Sequence, residues 1–238
     1  MRRKIRVYFV ESKHLYFTAI FVCLAIGCCL LNLSTSILSS TIREIRGKKV
    51  IIDAGHGGFD PGAKSAKGLL EKELNLDVAK RLMRLLSKAG VKVMMIRETD
   101  IDFSDRNELF NTKKRRDLYY RIQIANQSDA DVLLSIHANS FPQIIYRGAQ
   151  TFYKLNDENS KLLAECIQNS FNNNLGSTRK ARPGDYRILN DINLPGVTIE
   201  IGFLSNPQEA LLLSDPQYRE RVADAIYTGL VNYFAIKD

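Results

Sequence analysis

Cysteine is scarce in this 238-residue chain and poorly placed for a structural role. Cys23, Cys28 and Cys29 share one apolar stretch, which leaves Cys166 alone in the rest. A single thiol closes no internal disulfide. With no C-x-x-C pair, a thiolate zinc clip and dithiol redox chemistry are also excluded. Histidine is rarer still, at three residues. There is no H-E-x-x-H of the zinc proteases and no G-x-S-x-G of the serine hydrolases. The glycine-rich stretch Gly55-His56-Gly57-Gly58-Phe59-Asp60 is no dinucleotide fingerprint, because its sixth residue is aspartate. No G-K-[ST] follows it, so it is no phosphate loop either. Internal repeats and a tandem binding module are absent.

Excess charge in the body of the chain is the last absence. The formal balance is +8, but residues 1–49 hold nine Lys/Arg against two Asp/Glu, or +7, leaving +1 for residues 50–238. A nearly neutral body argues against nucleic acid as a partner. The positive end belongs to a targeting segment. Arg2, Arg3, Lys4, Arg6 and Lys13 precede "LYFTAIFVCLAIGCCLLNL". Nineteen residues at about 1.5 Å each span roughly 28 Å, close to a bilayer core. Residues 1–33 therefore read as a cytoplasmic basic flank followed by a signal anchor, or by a signal peptide cut near Ser34-Thr35-Ser36. In either case the remainder is exported. Residues 34–47 are Ser/Thr-rich and read as a linker, and 48–238 as a single domain.

Within that domain, short runs of β-formers alternate with helical periodicity. "KKVIID", "VKVMMIRETD", "DVLLSIHAN", "GAQTFYKL", "YRILND" and "GVTIEIGFL" read as strands. "ELNLDVAKRLMRLLSKAG", "NSKLLAECIQNSFNNNL" and "DPQYRERVADAIYTGLVNYF" read as helices, as does the segment ending in "RIQIANQS". The expected fold class is α/β: one domain, a mostly parallel mixed sheet, helices on both faces. Ligands of such folds bind beyond the carboxyl ends of the strands. Residues 102–120, with the run Lys113-Lys114-Arg115-Arg116, read as a solvated surface loop, the alternative being a contact surface for an acidic polymer or partner.

His56 and His137 are the two histidines of the domain, and both fall at the same expected sheet edge. Imidazoles are preferred zinc ligands, and His₂Glu is a standard catalytic set. Glu71 and Glu73, at the entrance to the first helix, are both candidates for the carboxylate, and spacing does not choose between them. Glu200 interrupts the β-formers of "GVTIEIGFL" between Thr198 and Gly202, whereas Val197, Ile199 and Ile201 share the opposite face. A carboxylate in a covered strand is costly unless it is paired or used in chemistry.

Taken in order, "IIDAGHGGFDPGA", "EKELNL", R-x-x-x-A-N from Arg121, "LLSIHAN", "GAQTFY" and "TIEIGFLSNPQE" resemble the zinc-dependent N-acetylmuramoyl-L-alanine amidases of bacterial peptidoglycan, over about residues 49–235. The resemblance is greatest to the single-domain, N-terminally anchored members of spore-forming bacteria that prepare the spore cortex. It implies one Zn²⁺ per chain on His56, Glu71 and His137, a catalytic carboxylate at Glu200, and supporting roles for Arg121 and Asn139. The implied reaction is hydrolysis of the bond between the muramic lactyl carbonyl and L-alanine. A zinc peptidase cutting within the stem peptide and a non-catalytic, membrane-held wall- or partner-binding protein are the alternatives. Several cell-division members carry a self-inhibitory helix before the last strand, and "NDINLPGV" is too short for one. Control is therefore expected from the anchor, the timing of expression or an exported protein partner.

Overall fold

A computed structural model describes residues 16, 19, 21–24, 26–27, 45–106 and 110–237. The chain divides into two units, Met1–Arg43 and Glu44–Asp238. The described residues of the first are helical. Most of the expected anchor, and all of the linker except residues 45–47, lie outside the described residues. Among those described, no helix is long and apolar enough to cross a membrane.

The second unit is built on six strands: β1 (Lys49–Ala54), β2 (Lys92–Met95), β3 (Val132–Asn139), β4 (Gln150–Tyr153), β5 (Arg182–Pro183) and β6 (Gly196–Phe203). Their order across the sheet is β2-β1-β3-β6-β4-β5. All neighbours run parallel except β4 and β6. The helices are α1 (Glu71–Lys88), α2 (Lys113–Gln127), α3 (Glu158–Leu175), the single turn α4 (Arg187–Asn190), α5 (Pro207–Ser214) and α6 (Pro216–Lys237). This is the expected α/β architecture, with helices on both faces.

The two faces are chemically unlike. One presents Val50, Ile52 and Ala54, then Leu134 and Ile136, then Val197, Ile199 and Ile201, all buried beneath α1, α3 and α6. Each such Val, Leu or Ile side chain contributes roughly 1.5–3 kcal/mol when fully buried. The other face is apolar only toward the amino ends of its strands. There Ile51 and Leu133 pack with Ile122 of α2 and with Ile188 and Leu189 of α4. One step further along, the register aligns Asp53, Ser135 and Thr198, all buried. The next row on this face is His137, Glu200 and Gln150. A sheet covered on both sides thus ends in a row of polar groups at the carboxyl edge.

Two local readings are corrected. The run Lys113–Arg116 is no loop but the first turn of α2, capped by the Thr112 hydroxyl, which accepts from Arg115 N at 3.3 Å. "YRILND" is no strand: Arg187–Asn190 form one helical turn whose Ile188 and Leu189 are buried. Helix α5 lies where no helix was expected, with Pro207 in its first turn and Asn206 accepting from the backbone of Gln208 and Glu209.

Candidate metal centre

The loop after β1 and the start of α1 are locked together by backbone hydrogen bonds. Helix α1 has no side-chain N-cap. Instead Glu71 N and Lys72 N donate to the carbonyls of Ala63 and Pro61 at 2.9 and 3.1 Å. The first-turn donors that a helix leaves open are thereby closed by the loop that carries His56. In return the Glu71 carboxylate reaches back, with Oε2 accepting from Ala63 N at 2.7 Å. The loop and the helix end form one rigid corner.

At this corner three side chains converge. Glu71 Oε1 lies 3.1 Å from His56 Nε2 and 3.0 Å from His137 Nδ1. The three potential ligand atoms lie within 4.8 Å of one another. The imidazoles meet edge to face, with centroids 5.1 Å apart. Asp60 Oδ2 lies 2.8 Å from His56 Nδ1 and orients the ring so that Nε2 faces Glu71, the position from which a ligand nitrogen would reach a shared metal. Burial raises the Glu71 carboxyl, but hydrogen bonds and charge from His137 and His56 outweigh it and hold the group well below the usual carboxylate range. Glu71, not Glu73, is the carboxylate brought in. Glu73 is exposed.

Two glycines make the convergence sterically feasible. A Cβ on Gly55 would lie 2.2 Å from His137 Cε1. One on Gly62, whose φ is 68°, would lie 2.5 Å from Glu71 Oε2 and 2.8 Å from His56 Cδ2. His56 itself has φ 61°, a left-handed conformation uncommon outside glycine.

Two buried arginines hold that conformation from below. Arg121 Nη2 donates to His56 O at 2.7 Å and Nη1 to Ala54 O at 3.0 Å. Its charge is balanced by Asp53 and Asp117, each at 2.7 Å. Arg97 Nε donates to Ala54 O at 2.7 Å, and its Nη2 to Gly55 O at 3.0 Å and Lys72 O at 2.8 Å. It has no carboxylate partner among the described residues. Burial, reinforced by Arg121, pushes its guanidinium down to about 10. The family resemblance gave Arg121 a supporting role and Arg97 none, although a charge ending the strand-like run "VKVMMIR" is the same kind of signal that marks Glu200. Asn139 does not turn toward the three ligands. Its Oδ1 accepts from Ser140 N at 2.8 Å, a local turn.

Glu200 stands beside His137 in register and is 6% exposed. It forms no ion pair among the described residues. Burial pushes its carboxyl up to about 7, with His137 opposing and Glu71 adding to the rise. Oε1 accepts a 3.3 Å hydrogen bond from the Tyr186 hydroxyl, and the buried Oε2 has no partner. Tyr186 was not apparent from sequence. Its ring packs on Phe152 at 5.3 Å, and burial together with the Glu200 charge keeps its phenol protonated. A cleft of about 250 Å³ opens beside these groups, lined by His56, His137, Asp60, Lys114, Tyr186 and Arg187 among others. Two imidazoles and one ionised carboxylate are a three-donor set that fits zinc with a fourth position left open, and the unpartnered Glu200 oxygen is outside that set.

The N-acetylmuramoyl-L-alanine amidase family model matches residues 50–232. The chain belongs to this amidase family. As an N-acetylmuramoyl-L-alanine amidase it is a hydrolase that acts on peptidoglycan. It is 40% identical over 197 residues to the germination-specific N-acetylmuramoyl-L-alanine amidase of Bacillus subtilis, covering 81% of this chain and 82% of that protein. Among solved structures it resembles the CwlD amidase of Clostridioides difficile in complex with the GerS lipoprotein, with TM-score 0.76 and 39% identity over 80% of this chain and 100% of that one. The catalytic domain of the amidase CwlV from Paenibacillus polymyxa matches with TM-score 0.69 and 31% identity, over 79% of this chain and 99% of that one.

Proposed function

We propose that this amidase is a zinc enzyme in which His56, Glu71 and His137 hold the metal and Glu200 is the catalytic acid–base group, and that it removes stem peptides from N-acetylmuramic acid during spore cortex maturation. The observation that carries the reading is the joint placement of a three-donor cluster and a buried carboxylate with one unpartnered oxygen. Zinc held by such a set supplies a Lewis acid and brings the pKa of water toward about 7.

The protein's own groups account for the rest. Glu200, with a carboxyl near neutrality, takes the proton of the attacking water and returns it to the leaving nitrogen of L-alanine. Such general acid–base transfer contributes roughly 10²–10⁴-fold. Tyr186 fixes Oε1 of Glu200 and leaves Oε2 for proton transfer. Asp60 orients the His56 ring, and Arg121 and Arg97 hold the carbonyls behind it.

The cortex setting is supported by the likeness to the germination-specific relative. The likeness to an amidase described with a lipoprotein supports an exported protein partner for this chain too. A cell-wall substrate requires export, for which the apolar N-terminal segment, as anchor or cleaved signal, is the device. Substituting Glu200→Gln tests the role assignment. Turnover should disappear while zinc remains bound, and a fully active variant would refute it.

A further inference from the structure

A second pocket, of about 400 Å³, lies on the far side of Glu200 from the cleft described above, and four cations line it: Arg147, Arg179, Lys180 and Arg182. Arg179 is held in place, with its guanidinium over Phe203 and Tyr146 at 5.0 and 5.6 Å and its Nε donating to Arg147 O at 2.8 Å. Arg147, Lys180 and Arg182 are exposed, and Arg147 acts on Glu209 through charge alone. Two carboxylates are near: Glu209, which accepts from Gly148 N and Phe203 N at 2.7 and 2.8 Å and feels the charges of Arg179 and Arg147, and Glu165, which lines the adjoining cleft with Arg179 and Lys180. The cations of the first cleft differ: Lys114 is paired with Asp60 at 3.1 Å and Arg187 with Asp191 at 3.0 Å. The lining of the second pocket thus holds four cations and no carboxylate.

Its position follows from strand register. Gln150, which lines the pocket, is the β4 partner of Glu200, and its Nε2 donates to Lys180 O at 2.9 Å. Glu200, Gln150 and Lys180 thus form a row across three neighbouring chain segments. At about 4.8 Å per step, the row spans about 10 Å. An extended peptide advances about 3.3–3.6 Å per residue. If its first amide is at Glu200, its second and third residues lie about 7–10 Å away, over the cations.

We propose that this pocket is the subsite for the free carboxylates of the stem peptide, and that Lys180 and Arg182 select for them. The proposal rests on the amidase reading of the metal centre. It orients the substrate: the peptide runs over β4 and β5, and the glycan lies on the side of α2.

The test uses the zinc-loaded full chain and its Lys180→Gln/Arg182→Gln variant, both substitutions being at exposed positions. Calorimetry measures binding of a synthetic tripeptide that begins with L-alanine and bears free carboxylates, and of the same peptide fully amidated. Turnover is measured on muropeptides carrying the two stems. The wild-type protein should bind the acidic peptide about tenfold more tightly, and the variant should lose that preference. In turnover the variant's KM for the acidic stem should rise about tenfold with kcat within about twofold, and the two proteins should treat the amidated stem alike. Equal binding of the two peptides by the wild type, binding of neither, or a preference retained by the variant overturns the proposal. The two readings fail separately. Carboxylate-dependent binding without stem release supports the pocket and counts against the amidase mechanism. Stem release without carboxylate preference overturns the pocket and leaves the mechanism standing.

Discussion

Replacing Gly55 by alanine isolates the steric demand of the metal centre. The backbone of Gly55 is not in the left-handed region, so alanine meets no conformational strain there. The added Cβ would lie 2.2, 2.3 and 2.7 Å from Cε1, Nε2 and Nδ1 of His137. Carbon–carbon contact is comfortable only from about 3.5 Å, so the imidazole must retreat by about 1.3 Å. Metal–ligand distances tolerate about 0.2 Å. The ring can fold out of the methyl's way or ligate zinc, but not both. Zinc affinity should therefore fall at least about 100-fold, beyond the usual effect of disturbing a group behind a ligand. The metal-free fold should lose only about 1–3 kcal/mol, as in overpacking. Thermal unfolding separates the two effects. At zinc 100-fold above the wild-type Kd, binding stabilises the wild type by about 2.7 kcal/mol, or about 5–10 °C in Tm for a domain of this size. At the same zinc concentration the variant should gain about 0.4 kcal/mol, or about 1 °C. An equal zinc-induced shift in the two proteins would refute the assignment of His137 as a ligand.

Three further outcomes follow. Tyr186→Phe removes the hydrogen bond that stabilises ionised Glu200, so kcat should fall about tenfold at neutral pH with zinc affinity unchanged. The Glu200 pKa should rise, carrying the acid limb of the pH–rate profile to higher pH, and an unmoved limb would contradict the contact. Arg121→Met strands Asp53 in the core and should cost about 3–5 kcal/mol in urea denaturation, and a loss below 1 kcal/mol would show the pair to be expendable. Asp53 also sets an acid dependence. Although burial raises its carboxyl, the charge and hydrogen bond of Arg121 hold it below its usual value. The stability this contributes is complete above the unfolded pKa of about 3.9 and is lost as pH falls through the lower folded value. The difference in urea midpoint between the wild type and Asp53→Asn, in which the other titrating groups cancel, should be level above about pH 5 and shrink below about pH 4, and a difference that shrinks from near neutrality would contradict the assignment.

The central strands were legible because both sheet faces are covered, so "KVIIDA", "VLLSIHAN" and "GVTIEIGF" read as nearly continuous apolar runs. Polar residues inside such runs are conspicuous, and this exposed His137 and Glu200. The one-turn α4 escaped because four residues are too few to separate a helical period from alternation. The start of α2 was hidden by its four consecutive cations. Its signal lay instead in Thr112, whose hydroxyl caps the helix. For α5 the signal was "SNPQE", a cap residue followed by proline at the first helical position. Tyr186 gave no such warning, and Arg97 was passed over although it ends the run "VKVMMIR". Tyr186 reaches Glu200 only because β5 docks beside β4, a pairing of two residues per strand that no local pattern encodes. Arg97 matters for the carbonyls of Ala54 and Gly55, over 40 positions earlier in the chain.

The most direct test is digestion of purified peptidoglycan by the protein, zinc-loaded or stripped with EDTA, with released fragments identified by mass spectrometry. The zinc-loaded protein should release stem peptides with a free N-terminal L-alanine, and the stripped protein should release none until zinc is restored. Fragments cut within the stem peptide, or release undiminished after stripping, would contradict the account.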